Sequence, residues 1–277
     1  MIKIFKHRNE LSEYNYKPNT SYDFIPTDSK ERFKTSLKTQ NDNVSLQYYL
    51  QNPIKYNLNN CGFRTPDDFN PNDWGNVFIG CSHTFGIGHH LENTWSYKLN
   101  NIVGGKFWNM GLPATGVMSH FRILFGYYKE LKIKNIFHYA PQYSRYEFIE
   151  NGTPTNYIIA DYKEGWKQNF GDLMSKSLLT IEQCKMNWFS YTYAIRGLAS
   201  EIGCNYYVIQ GDTGGHTSDD ASLQARDLIH HNTAYHHKIY KEFLKLYDET
   251  LYEKYSNTQE PIFDIKQYIK DTRNSII

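Results

Sequence analysis

The chain has 277 residues, with 30 Lys and Arg against 29 Asp and Glu, which leaves a formal net charge of +1. This length suffices for one large domain with an extension, and for a core that needs no disulfides. Because no long block of one charge occurs, nucleic acid is not an expected partner. No apolar run approaches the roughly 18 residues of a membrane span, and no signal-peptide pattern follows Met1, so we expect neither membrane nor export.

Residues 1–70 are polar and are interrupted by several prolines. Such a composition predicts an irregular N-terminal extension of extended chain and short elements, packed on a core formed by residues 71–277. The four cysteines lie far apart and lack CxxC spacing. We therefore predict free, mostly buried thiols in a reducing compartment.

Four short apolar runs predict buried strands, because each ends at a glycine or proline. They are Val77–Ile79, Phe107–Met110, Ile133–Ala140 and Tyr206–Ile209. Each run is followed by a loop, and in a parallel sheet such loops gather at the carboxyl edge, where ligands bind.

Two segments between these strands show helical spacing, with apolar residues at steps of three and four. The first runs from Val117 to Leu131 and the second from Ile181 to Ile202, where Gly203 marks the end of the helix. Strands that alternate with helices predict an α/β fold with a mainly parallel sheet and helices on both faces. Residues 144–180 lack periodicity and are predicted to form an insertion or lid.

The loop after the first strand contains a serine among glycines, from Gly80 to Gly88. A serine at a sharp strand-to-helix turn presents its hydroxyl while nearby backbone N–H groups point into the same space. Ser82 is therefore a candidate nucleophile. The stretch lacks the Gly-Lys-Ser/Thr ending of a phosphate-binding loop.

A second loop, from Ala225 to His237, contains a carboxylate and an imidazole three residues apart. On one turn, Asp227 and His230 would project from the same side, and the carboxylate could accept the imidazole N–H. This bond would fix the tautomer needed for a Ser-His-Asp triad. A His-rich surface loop is the alternative interpretation.

These residues resemble the conserved blocks of SGNH (GDSL-like) serine hydrolases. The resemblance covers about residues 59–245 and rests on four stretches: Asn59–Arg64, Gly80–Trp95, Trp108–Pro113 and Asp227–Ile239. It implies a three-layer α/β/α, flavodoxin-like fold and an esterase with Ser82, Asp227 and His230 as its triad. It further implies an oxyanion hole formed by the backbone N–H groups of Ser82 and Gly111.

The chain departs from the family pattern at two positions. Cys81 stands where the family usually has Asp, and Gln142 lies where the family places an Asn whose side-chain amide completes the oxyanion hole. Gln142 could offer the same side-chain amide from one methylene farther out, and a plain surface residue is the alternative interpretation. Loss of one such donor costs about 10²- to 10³-fold in rate.

The expected substrate is an acyl or acetyl ester, with esters on carbohydrate included, and no cofactor is implied. One alternative is a catalytically weak relative that serves as a binding or virion-associated structural protein, and another is a metal-dependent hydrolase that uses the histidines near Asp227. An acyltransferase, which passes the acyl group to a sugar instead of water, is a variant of the esterase hypothesis.

Arg145 and Glu147 could meet a charged substrate or form a surface ion pair. A cytoplasmic or virion-associated location is expected, and the sequence does not predict an oligomeric state.

Overall fold

The structure, a computed structural model, describes residues 5–6, 16–150, 153–158, 180–211 and 222–256. The chain divides into two compact units, each built from segments that are distant in sequence. Unit 1 comprises Met1–Asn19, Leu58–Phe85 and Gly104–Thr213. Unit 2 comprises Thr20–Asn57, Gly86–Val103 and Gly214–Ile277. The predicted extension, residues 1–70, thus contributes chain to both units.

The strands are, in chain order, β1 (Ser21–Tyr22), β2 (Tyr56–Asn57), β3 (Trp74–Gly80), β4 (Lys106–Asn109), β5 (Lys132–Ala140), β6 (Arg145–Glu150), β7 (Thr153–Ile158) and β8 (Asn205–Gln210). The α-helices are α1 (Lys30–Thr39), α2 (Val44–Gln51), α3 (Ser82–Phe85), α4 (Trp95–Val103), α5 (Val117–Tyr127), α6 (Ile181–Ile202), α7 (Thr233–Tyr247) and α8 (Glu249–Ser256). Among the described residues, no helix has the length and apolar character required to cross a bilayer.

Unit 1 is organised around a four-stranded parallel sheet in the order β4-β3-β5-β8. In its centre, Val77 pairs with Trp108 on one side and with Ile136 on the other, and Ile136 pairs with Tyr206. The four predicted strands are these four, and the α/β class with a parallel sheet is confirmed. Parallel strands need crossover connections, which here include the long helices α5 and α6.

Helices α5 and α6 cover the apolar side chains of this sheet. They contact each other and strands of the sheet. The Thr180 side chain caps the start of α6, and Gly203, with a φ of 73°, ends it. A left-handed residue at this position favours glycine, as the sequence predicted. The resulting core includes Val77, Ile79, Trp108, Met110, Leu112, Ile123, Leu124, Ile133, Ile136, Ile195, Leu198 and Ala199.

A ladder of asparagines crosses the sheet near its amino-terminal edge. The Asn205 amide donates to Asn135 Oδ1 at 2.9 Å, and the Asn135 amide donates to Asn76 Oδ1 at 2.7 Å. The Asn76 amide donates in turn to the carbonyl of Gly104 at 2.6 Å. Since Asn76 and Asn135 are fully buried, this ladder satisfies polar groups that would otherwise be costly, and it fixes the register of β3, β5 and β8.

The predicted insertion, residues 144–180, begins with the antiparallel β6–β7 hairpin, and residues 159–179 lie outside the described part of the chain. Glu147 of β6 forms a buried bidentate ion pair with Arg122 of α5, with Nε–Oε1 and Nη2–Oε2 distances of 2.8 Å. Ser119 also donates to Glu147 Oε2 at 2.7 Å. The prediction that Glu147 meets a substrate or forms a surface pair was therefore wrong, because its side chain faces α5.

Unit 2 combines part of the N-terminal region with α4, α7 and α8. Ser29 and Asn43 cap α1 and α2, so the predicted irregular region contains two helices. Helix α4 packs on α7, where the rings of Trp95 and Phe243 stack with a centroid distance of 4.7 Å.

The four cysteines of the chain are free, as predicted, and Cys81 and Cys184 are buried.

Candidate active site

Ser82 lies at the first position of α3, two residues beyond the end of β3. The carbonyl of Cys81 accepts the N–H groups of Thr84 and Phe85, both at 3.0 Å, which closes the turn. The Ser82 side chain is nearly buried, at 6% exposure. Within the described part of unit 1, its Oγ and its backbone N–H have no hydrogen-bond partner. The strand-to-helix turn predicted around Ser82 is thus present.

Two glycines allow this turn to pack closely against the strand ends. A Cβ on Gly80 would lie 2.0 Å from Thr84 Oγ1, and a Cβ on Gly111 would lie 2.5 Å from the Phe85 nitrogen. Real Cβ atoms do not approach this closely, so any side chain at either position would displace α3. Close packing around the serine turn therefore requires glycine at both positions.

Asn109, at the end of β4, connects the serine turn to Gly111. Its Nδ2 donates to the carbonyl of Thr84 at 2.8 Å, and its Oδ1 accepts the N–H of Gly111 at 2.9 Å. The Gly111 N–H, predicted to donate to an oxyanion, is thus bonded to a side chain in this structure. Its role as an oxyanion donor stays a prediction, and it requires this N–H to be shared with or released from Asn109.

Gln142 lies two residues beyond the end of β5 and is partly exposed. Its carbonyl accepts the N–H of Arg145 at 3.4 Å. Because β4, β3 and β5 are parallel neighbours, Gly111, Ser82 and Gln142 all follow the same carboxyl edge of the sheet. This edge is where open α/β sheets bind ligands.

In unit 2, Asp227 and His230 are hydrogen-bonded to each other. The distance from His230 Nδ1 to Asp227 Oδ2 is 2.7 Å, while Asp227 Oδ1 accepts the backbone N–H groups of Ile229 and His230 at 3.1 and 3.2 Å. Asp227 is only 3% exposed. Burial by itself raises the pKa of Asp227, but the hydrogen bond and charge of His230 and the two backbone N–H groups bring it below its ordinary value. The carboxylate is therefore held ionised.

The turn that carries this pair is not helical. Leu228 adopts a left-handed conformation with a φ of 55°, which is rare for a residue with a branched side chain. This conformation brings the His230 ring back onto the Asp227 carboxylate. Backbone strain of this kind is found at functional sites more often than elsewhere, and it costs about 1–3 kcal/mol.

Two other histidines of unit 2 are hydrogen-bonded to the backbone. His89 Nε2 donates to the carbonyl of His231 at 2.7 Å, and His236 Nδ1 accepts the N–H of Trp95 at 3.3 Å. Burial, reinforced by neighbouring imidazoles, keeps the pKa of His236 well below its ordinary value. In the part of the chain that the structure describes, no three His, Cys, Asp or Glu side chains converge to hold a metal ion.

A buried chain of hydrogen bonds behind the Gly111 loop was not predicted. Tyr206 Oη lies 2.8 Å from His138 Nδ1, His138 Nε2 lies 3.0 Å from His120 Nδ1, and His120 Nε2 lies 3.1 Å from Thr115 Oγ1. Thr115 donates its proton to the carbonyl of Leu112 at 2.7 Å, so it accepts from His120. Because burial keeps both imidazoles neutral, His138 Nε2 then donates to His120 Nδ1, and Tyr206 Oη donates to His138 Nδ1. Burial lowers the pKa of His138 to about 3 and that of His120 well below its ordinary value.

The predicted residues thus fall into two groups that are each described within one unit. Ser82, Gly111 and Gln142 belong to unit 1, and Asp227 and His230 belong to unit 2. The participation of Ser82 and His230 in one reaction stays a prediction. No family model, curated protein or solved structure matches the chain.

Proposed function

We propose that the protein is an SGNH-type serine hydrolase that cleaves acyl or acetyl esters, including esters carried on carbohydrate. The observation that supports this most is the 2.7 Å bond between His230 Nδ1 and the ionised Asp227. With Nδ1 protonated and bonded to the carboxylate, Nε2 is the nitrogen that can accept a proton. A buried carboxylate also stabilises the imidazolium that results.

In the proposed reaction, Ser82 Oγ attacks the ester carbonyl while His230 Nε2 accepts the serine proton. His230 then protonates the leaving alcohol, and a water molecule releases the acyl group from Ser82 by the reverse sequence. The Ser82 N–H is the first oxyanion donor, with Gly111 and the Gln142 amide as further donors.

A fluorophosphonate probe tests this proposal directly, because it reacts with activated serines. We expect labelling of the natural chain and none of Ser82→Ala, with strongly reduced labelling of His230→Gln. Ser190→Ala is the matched control, since Ser190 is an exposed serine of α6. Labelling that persists in Ser82→Ala, or that is lost equally in Ser190→Ala, would contradict Ser82 as the nucleophile.

A second candidate function is binding without efficient catalysis, in the cytoplasm or in a virion. The observation that favours it is the bond between the Gly111 N–H and Asn109, which engages a predicted oxyanion donor. Absence of probe labelling together with retention of an acetylated glycan would support this function.

Two further measurements test the remaining alternatives. Activity that survives exhaustive chelation, with no metal found by elemental analysis, would exclude a metal-dependent hydrolase. Product analysis with and without a sugar acceptor separates hydrolysis from acyl transfer. Transfer would appear as a new ester on the acceptor, whereas hydrolysis releases the free acid.

A further inference from the structure

The turn that carries Asp227 and His230 is held on its amino-terminal side by a buried ion pair. Arg226 Nη2 donates to Asp28 Oδ2 at 2.7 Å, and Arg226 Nε lies 3.0 Å from each Asp28 oxygen. The same Nη2 donates to the carbonyl of Asp23 at 2.6 Å. Both Arg226 and Asp28 are 1% exposed. A planar guanidinium that meets a carboxylate with two nitrogens fixes orientation as well as charge.

Further contacts fix both the side chain and the backbone of Arg226. Its guanidinium carbon lies 4.3 Å from the centroid of the Phe24 ring, and the Tyr56 hydroxyl donates to Asp28. The Arg226 N–H donates to the carbonyl of Gly88 at 2.9 Å, and the Gly88 N–H donates to the Tyr56 hydroxyl at 2.9 Å. The residue before Asp227 therefore has little freedom to move.

On the carboxyl-terminal side, the turn is held by His89. Its Nε2–H donates to the carbonyl of His231 at 2.7 Å, and the Tyr49 hydroxyl lies 3.4 Å from its Nδ1. Because a carbonyl can only accept, His89 must carry its proton on Nε2. His89 is fully buried. The residue after His230 is thus bonded to a rigid donor.

The tip of the turn is exposed and its backbone is strained. Ile229 is 48% exposed, and Leu228 has a strained left-handed backbone. A general base must be held within about 0.5 Å of its productive position, and this accuracy comes from the supporting residues. The Arg226–Asp28 ion pair on one side of the turn and His89 on the other can provide this support.

We infer that Asp28, Arg226 and His89 are positioning residues that hold the Asp227–His230 pair in its reactive geometry. This inference rests on the proposed function, and none of the three residues is assigned a contact with substrate. The inference also assigns a role to part of the N-terminal region, because Asp28 lies within residues 20–57. The rival interpretation is that these bonds only stabilise unit 2.

The first experiment weakens the ion pair and measures His230 in two independent ways. Asp28→Asn removes the negative charge of the pair. Arg226→Lys keeps the positive charge but removes the contact of two guanidinium nitrogens with the carboxylate. One readout is the fluorophosphonate labelling rate per folded molecule, and the other is the proton NMR signal of His230 Nδ1–H, assigned by its loss in His230→Gln. Glu242→Gln is the control, since Glu242 pairs with Lys238 on the exposed face of α7.

We expect both ion-pair variants to label about tenfold more slowly or worse, because a misplacement of roughly 1 Å can cost about 100-fold in rate. The His230 Nδ1–H signal should broaden or shift in both variants and stay unchanged in Glu242→Gln. If Asp28→Asn does not fold, Arg226→Lys decides the outcome, and circular dichroism with the melting temperature identifies the folded variants. Normal labelling and an unchanged signal in a folded variant overturn the inference.

The second experiment compares two replacements of His89. Gln offers an amide N–H to the His231 carbonyl, whereas Phe fills the space without a donor. We expect His89→Gln to retain more of the labelling rate than His89→Phe at similar melting temperatures. Equal rates in both variants would overturn the role of His89. If the natural chain is not labelled at all, the proposed function fails, but the NMR signal still decides whether these residues position His230.

Discussion

Acidification should destabilise the protein through the buried chain that links Tyr206, His138, His120 and Thr115. The folded protein keeps His138 neutral, with a pKa of about 3, while the unfolded chain has the ordinary value near 6.5. Between these values the unfolded state binds a proton that the folded state excludes. Stability is therefore complete above about pH 6.5 and is lost as the pH falls toward about 3.

The size of the effect follows from the difference in pKa. At about pH 5 the solution is about 1.5 units below the unfolded-state pKa, and each unit is worth about 1.4 kcal/mol, so His138 alone contributes a loss of about 2 kcal/mol. His120 should add to this loss, because its pKa is lowered in the same direction.

Urea unfolding of the natural chain and of His138→Gln, at roughly pH 7 and roughly pH 5, measures this contribution. Gln can donate to His120 and accept from Tyr206, but it does not titrate. The variant should lose about 2 kcal/mol less than the natural chain between the two pH values. Between roughly pH 7 and pH 8 the two proteins should change in parallel. Equal losses on acidification would refute a neutral buried His138.

Three further substitutions test other features of the fold. Asn135→Ala should lower the free energy of unfolding by about 1–3 kcal/mol in urea, because it leaves the buried Oδ1 of Asn76 without its donor; an unchanged free energy of unfolding would contradict the ladder. Leu228→Gly should be tolerated, whereas Leu228→Val should cost about 1–2 kcal/mol and slow probe labelling, since a β-branched residue resists a positive φ; equal melting temperatures would contradict this. Glu147→Gln should cost about 3–5 kcal/mol, and combination with Arg122→Met should recover much of it, because an unpaired buried charge is worse than none; simple additivity of the two losses would contradict this.

The sequence predicted the parts of the fold that depend on local patterns. The apolar runs located β3, β4, β5 and β8, and the three- and four-residue spacing located α5 and α6, because burial of one face imposes a period on neighbouring residues. Gly203 was predicted to end α6 since only a residue that tolerates a positive φ fits there. Ser82, and Asp227 with His230, were singled out because their chemistry and spacing are visible within short segments.

The missed features join residues that are far apart in the chain. Arg226 and Asp28 are separated by 198 positions, and His138 and Tyr206 by 68. Neither residue of such a pair carries a local signal of its partner. Glu147 shows the same limit, because an acidic residue beyond a strand resembles a surface group until its partner Arg122 on α5 is known. A histidine between apolar residues of a predicted strand, such as His138 between Phe137 and Tyr139, was the one local signal of the buried hydrogen-bond chain.

The separation of Asp28 from Arg226 also constrains how the protein is made. At about 5–20 residues per second, a ribosome needs roughly 10–40 s to reach Arg226 after Asp28 has been synthesised. During that interval the aspartate has no counterion and stays hydrated, since its burial would be costly. Closure of so long a loop is also slow. Unit 2 can therefore form this ion pair only after its C-terminal segment has been synthesised, and a nascent chain that stops at Thr213 would contain all four strands of the parallel sheet but not Arg226.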